Sequence, residues 1–166
     1  MFKWLAVMLL SSSVYASPIG QLEKIGAGEM SYLFWTLYRA ELFASERPLS
    51  VNAGNKQVTA LRIEYYKTID KQALVEATAE QWQHLGYSPA DIAQWVVPLQ
   101  RIWPNVTPGD RLTLLVNQSG MSQFYLADQL IGQIDDPRFG EAFLAIWLSE
   151  NTSEPKLRQQ LLGLSQ

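Results

Sequence analysis

Residues 111–134 read RLTLLVNQSGMSQFYLADQLIGQI. Arg111 to Val116 is a strand-like apolar run. Asn117-Gln118-Ser119-Gly120 has the chemistry of a hairpin loop, and Met121 to Leu126 is the return strand. Ala127-Asp128-Gln129 then turns the chain into a third strand, Leu130 to Ile134. Strands joined by such short turns pair antiparallel, because a parallel crossover needs a dozen residues or more. Asp136-Pro137 opens a helix directly afterwards, with a capping acid followed by proline in the first turn. Phe139, Phe143, Ile146 and Trp147 share one face of it. A last short helix starts near Ser153-Glu154-Pro155 and ends at Gly163.

Upstream, Ser88-Pro89-Ala90-Asp91 is a helix start, and that helix runs toward Trp103 with a kink expected at Pro98. Asp70 caps an earlier helix, KQALVEATAEQWQHLG, which presents Leu74, Ala77, Thr78, Trp82 and Leu85 on one side and stops at Gly86. Val58 to Tyr66 alternates Leu61, Ile63 and Tyr65 with Arg62, Glu64 and Tyr66, the pattern of a half-buried strand. Residues 44–57, with Pro48, Gly54 and two asparagines, form a connection. Before it, Met30 to Phe43 contains no Gly or Pro and reads as one long strand, with Met30, Tyr32, Phe34, Tyr38, Ala40 and Leu42 at alternate positions. Strands, helices, a meander and further helices make an α+β chain: a large, mostly antiparallel β-sheet with helices packed on one face.

Composition narrows the function. The chain has 166 residues, 48% of them hydrophobic and 11% aromatic, with six Trp, seven Tyr and six Phe. Such a content of aromatics opposes disorder. The absence of cysteine excludes a disulfide scaffold and most structural zinc sites. The net charge of −3 opposes nucleic-acid binding. Residues 1–16, MFKWLAVMLLSSSVYA, pair a basic Lys3 with a short apolar stretch and small residues at Val14 and Ala16. This is the pattern of a signal peptide cut after Ala16, so an exported, periplasmic protein is expected. No cysteine follows the cut to carry a lipid anchor, and no later apolar run reaches membrane-spanning length.

Conventional catalytic motifs are absent. His84 is the only histidine and no G-x-S-x-G elbow occurs, so a serine triad has little to work with. With one histidine and no cysteine, a transition-metal site would have to be mostly carboxylate, which suits hard ions better; no metal and no cofactor is expected. Asp135-Asp136 before Pro137 reads as a helix cap rather than a catalytic pair. Gly26-Ala27-Gly28 precedes a strand, so no helix N-terminus is available there to hold phosphate. The tryptophans read as core.

Two blocks carry a family resemblance: GAGEMSYLFWTLYRAELF at 26–43, and the span from Ile102 to Gly163 that contains PGDRLTLLV, FYLADQLIGQIDDPRFG and AFLAIWL. ALRIEYYKTIDKQALVEATAEQW between them fits as well. The chain resembles the bacterial chalcone isomerase-like proteins, as one domain over residues 17–166. The resemblance implies an open-faced sheet with a ligand cleft beneath its helices. That fold serves plant chalcone isomerases, which cyclise a chalcone to a flavanone, and non-catalytic relatives that bind fatty acids. Catalytic members carry an arginine on the early strand just after the glycine motif, where it would stabilise developing negative charge. Here Met30 follows G-A-G-E. Catalytic members also place Tyr and Asn on the helix after the central strand, and Lys71 to Gly86 contains neither.

A non-catalytic binder of a small apolar or amphipathic ligand, such as an acyl chain, is therefore the leading expectation, with Met30, Tyr32, Tyr38, Tyr65 and Trp82 lining its cleft. A carboxylate ligand would want a cation, and the strand arginine is missing. The alternatives are an isomerase or lyase that uses the adjacent Tyr65, Tyr66 and Lys67, and an interaction module with a filled core.

Overall fold

The computed structural model describes residues 16–47, 49 and 57–164. The expected leader at 1–16, except Ala16, and most of the 44–57 connection lie outside the described residues. Among the described residues six strands form one antiparallel sheet in chain order: β1 (Glu23–Tyr32), β2 (Trp35–Ala44), β3 (Thr59–Tyr65), β4 (Arg111–Val116), β5 (Ser122–Leu126) and β6 (Gln129–Ile134). Helices α1 (Lys71–His84) and α2 (Pro89–Ile102) connect β3 to β4, while α3 (Pro137–Leu148) and α4 (Pro155–Leu161) follow the sheet. No helix among these residues is long and apolar enough to cross a membrane.

The helix boundaries follow from capping chemistry. Asp70 accepts from the Ala73 N–H at 2.8 Å, and Ser88 from the Asp91 N–H at 3.1 Å. Asp136 accepts from the Arg138 N–H at 2.9 Å. Each side chain satisfies one of the amide donors that the first helical turn leaves unpaired. α2 continues through Pro98 to Ile102.

The long strand expected from Met30 to Phe43 is instead broken by a hairpin turn: Met30 to Tyr32 end β1, and Trp35 to Phe43 belong to β2. β1 and β2 pair from Glu23↔Ala44 to Tyr32↔Trp35, and the chain reverses at Leu33-Phe34. Leu33 takes φ of 54°, a left-handed conformation that leucine adopts at a cost. Tight hairpins normally recruit Asn or Gly for that geometry, so nothing in YLFW signals the turn. The turn leaves Phe34 97% exposed, flanked by exposed Tyr32, Leu33 and Trp35.

Gly26 and Gly28 lie inside β1 because α4 rests on them. A Cβ on Gly26 would sit 2.5 Å from the Leu161 carbonyl oxygen, and one on Gly28 would sit 2.7 Å from Leu157 Cδ1. The G-A-G motif is thus a seat for a helix.

The sheet has two unlike faces. One carries Ala40, Leu42, Leu61, Ile63, Leu114 and Phe124 into a buried core shared with the helices. On the other, Arg62 donates to Glu41 at 2.8 Å and 3.2 Å, and Lys24 pairs with the same carboxylate. Burial opposes ionisation of Glu41, but the Lys24 and Arg62 bonds outweigh it and hold its carboxyl below the usual range. Residues 17–22 cover one corner of this face, where Ile19, Phe43 and Ala60 form a small separate cluster.

Candidate functional site: an apolar cavity under the sheet

A cavity of about 240 Å³ lies between the core face of the sheet and helices α1 and α3. Its sheet side includes Met30, Tyr38, Leu61 and Tyr65, and its helix side Leu74, Thr78, Phe143 and Trp147. Strand alternation explains the sheet side. Met30 pairs with Tyr38 and Tyr38 with Tyr65, which sets the three in a row across β1, β2 and β3. Helical periodicity explains the other side, since Leu74 and Thr78, like Phe143 and Trp147, are four residues apart. The Thr78 hydroxyl donates back to the Leu74 carbonyl at 2.8 Å, which leaves its methyl group for the apolar wall.

The polar lining gathers where α1 meets the α3–α4 connection. Glu80, Gln81, Ser153 and Glu154 lie there. Ser153 Oγ donates to Gln81 Oε1 at 2.7 Å and ties the two elements together at this rim.

Deeper in, Trp147 Nε1 donates to the Tyr38 hydroxyl at 3.0 Å. The Tyr38 and Tyr65 rings meet edge to face, with centroids 6.1 Å apart. Tyr38 is half-buried as a residue, and its hydroxyl is desolvated. Burial pushes its pKa up to about 12, against the pull of the Trp147 bond and with a further push from the Glu154 charge. Burial also drives the Tyr65 hydroxyl well above the usual tyrosine value. Both phenols are therefore neutral O–H donors at any physiological pH.

Three of the five residues expected to line a cleft thus stand together in this wall: Met30, Tyr38 and Tyr65. The other two do not. Tyr32 is 64% exposed at the hairpin tip. A register shift between Met30 and Ser31 breaks the alternation that would have carried Tyr32 to the same face. Trp82 is wholly buried in the aromatic core, where its indole N–H donates to the Ala142 carbonyl at 2.9 Å. It packs on Trp95, Phe139 and Phe143 at centroid distances of 5.2, 6.0 and 6.4 Å. Two wall residues carry chemistry that the periodicity did not flag. Trp147 was legible only as one face of α3, and Trp103 only as core.

The cluster Tyr65, Tyr66 and Lys67 is split by the pleat. Tyr65 lines the cavity, the Tyr66 hydroxyl donates to Glu29 at 3.5 Å, and the Lys67 ammonium lies 4.4 Å from the centroid of the Trp35 ring. His84, at the C-terminal end of α1, lies 2.9 Å from the Asn151 carbonyl.

Sheet, helices and cavity define an α+β open-faced sandwich with its interior space on the helix side. The sequence profile of the chalcone isomerase-like family matches residues 20–163, and the chain belongs to that family. An uncharacterized protein of Haemophilus influenzae is 26% identical over 148 residues, covering 89% of this chain and 71% of its own length. Among solved structures, a fatty-acid binding protein of Arabidopsis thaliana superposes with a TM-score of 0.64 over 89% of each chain. At 13% identity that likeness concerns the fold.

Proposed function

We propose that this protein is an exported, non-catalytic binder of a small apolar or amphipathic molecule, held in the cavity between the sheet and α1 and α3. The observation that carries the reading is the cavity itself, an apolar space bounded by aromatic and aliphatic side chains with a polar rim. Well-packed cores leave few voids larger than a water molecule. A space of about 240 Å³ is far beyond that. It exceeds the ~150 Å³ cavity that admits benzene and falls short of the ~300 Å³ at which drug-sized pockets begin. It suits a short chain or a substituted single ring.

Two further facts support binding without turnover. Met30, a flexible apolar side chain, stands in the wall where the resemblance puts the catalytic arginine of the isomerases. Tyr66 and Lys67 are engaged with Glu29 and Trp35, away from Tyr65. The fatty-acid binding relative in Arabidopsis thaliana lends the reading a precedent within the fold.

The test is equilibrium binding of short-chain apolar compounds, followed by intrinsic tryptophan fluorescence, in the wild type and in Ala77→Trp. Ala77 is an exposed wall residue on α1, so a large side chain there obstructs the cavity from its rim without entering the core. Binding lost in Ala77→Trp with Tm preserved supports the reading. Equal binding by both proteins places the ligand elsewhere.

A further inference from the structure

Among the described residues, the cavity wall carries hydrogen-bond donors and no positive charge. The Trp103 indole N–H is buried, with the residue 4% exposed, and has no acceptor among the described residues. Its ring belongs to the wall and packs edge-on against Phe124 and Phe143, which also line the cavity. The Tyr65 hydroxyl, on a residue 5% exposed, has no hydrogen-bond partner among the described residues. The Tyr38 hydroxyl accepts from Trp147, which leaves its own proton to give. An indole N–H can only donate, and a buried donor left unpaired is costly enough that native proteins seldom keep one.

Among the described residues no lysine, arginine or histidine lines the cavity. The charged groups in the lining are Glu80 and Glu154, both acids. The Glu154 charge acts on Tyr38, so its field reaches inside. A ligand carboxylate placed inward would be buried without a cation, which is strongly unfavourable. Turned outward, it would face two like charges at the rim.

From this arrangement we infer that the cavity takes a neutral molecule: an apolar body bearing one oxygen acceptor, such as a ketone, ester or ether, to which Trp103 and the tyrosine pair donate. This rests on the binding reading above and narrows its ligand class away from free fatty acids. Tyr38 and Tyr65 stay protonated far above neutral pH, so they remain donors under all ordinary conditions.

The matched series heptane, heptan-2-one and heptanoate tests it, with dissociation constants measured at neutral pH on the full mature chain. Heptan-2-one is expected to bind roughly tenfold more tightly than heptane, the worth of one satisfied buried donor. It should exceed heptanoate by at least the same factor. Tyr65→Phe keeps the ring and removes the donor, and Trp103→Phe removes the indole N–H while leaving a smaller ring, so each should narrow the gap between ketone and alkane. Tyr66→Phe, outside the cavity, should leave the gap unchanged. Tyr65→Phe decides the matter where Trp103→Phe does not fold. Heptanoate binding as tightly as heptan-2-one, or a gap unaffected by the donor variants, overturns the inference and leaves the binding reading standing. No binding by any of the three overturns both.

Discussion

Trp147, on α3, donates its indole N–H to the hydroxyl of Tyr38, on β2, at 3.0 Å and across 109 residues of chain. The bond joins the sheet to the helix layer through the wall of the cavity, and it holds Tyr38 against Tyr65. Tyr38→Phe with Trp147→Phe in a double-mutant cycle should show a coupling of about 0.5–1.5 kcal/mol, the net value of one such bond. Urea unfolding of the four proteins measures it. A coupling of zero would mean that the two side chains are held by packing alone.

The same tyrosines set an alkaline limit. In the folded protein burial keeps Tyr38 protonated up to about 12 and raises Tyr65 as well, whereas in the unfolded chain both ionise near 10. Between those values the native state binds more protons than the unfolded state, so stability falls as pH rises. The slope is ~1.4 kcal/mol per pH unit for each such group. Stability from these groups is fully present below about pH 10. Tyr65→Phe should flatten the decline between pH 10 and 12, as read by unfolding midpoints across that range.

Replacing Gly26 by alanine should displace α4 and cost ~1–3 kcal/mol, the usual penalty of forcing atoms into a packed site. The clash is with backbone, the Leu161 carbonyl, so no side-chain rotation relieves it. Hydrogen exchange should show α4 amides losing protection while β4 and β5 keep theirs. Uniform loss would show that α4 does not move independently of the sheet.

Asp136 caps α3 and also accepts from Trp95 Nε1 at 3.0 Å and from the Arg138 guanidinium at 3.3 Å. Asp136→Ala should therefore cost ~1–2 kcal/mol, near the upper end for a lost cap, and Asp136→Asn noticeably less. Burial opposes ionisation of this carboxyl, but the Arg138 and Trp95 donors prevail and hold it below the usual range. The stabilisation from its ionised form is present above the ordinary carboxylate value and is lost as pH falls through the depressed one. Acid unfolding of Asp136→Asn should accordingly lack that part of the decline.

Phe124 and Phe34 share a residue type and sit at opposite extremes of exposure, 0% and 97%. Phe124→Ala should cost ~3–5 kcal/mol. Phe34→Ser should stay within ~0.5 kcal/mol. Thermal unfolding separates the two without further interpretation.

The parts of the fold legible in the sequence are those where local chemistry and tertiary packing agree. Asp70, Ser88 and Asp136 announce their helices because a cap is a local device. The β4–β6 meander is readable because Gly120 supplies the positive φ that its loop needs. The β1–β2 turn is not, because Leu33 takes its φ of 54° without the residue type that would signal it. The cleft was legible in Met30, Tyr38 and Tyr65, whose strand alternation fixes their face. It was misread at Tyr32, where a register shift breaks the alternation, and at Trp82. Periodicity can place Trp82 on the inner side of α1. It cannot say whether that inner side meets a cavity or, as here, Trp95 and Phe139.

Mass spectrometry of an organic extract from protein expressed with its full sequence and purified without detergent tests the central claim most directly. A near-stoichiometric small apolar molecule, absent from Ala77→Trp prepared in the same way, is the result expected of a binder. An extract with no such molecule, together with no response to any added short-chain compound, would contradict the account.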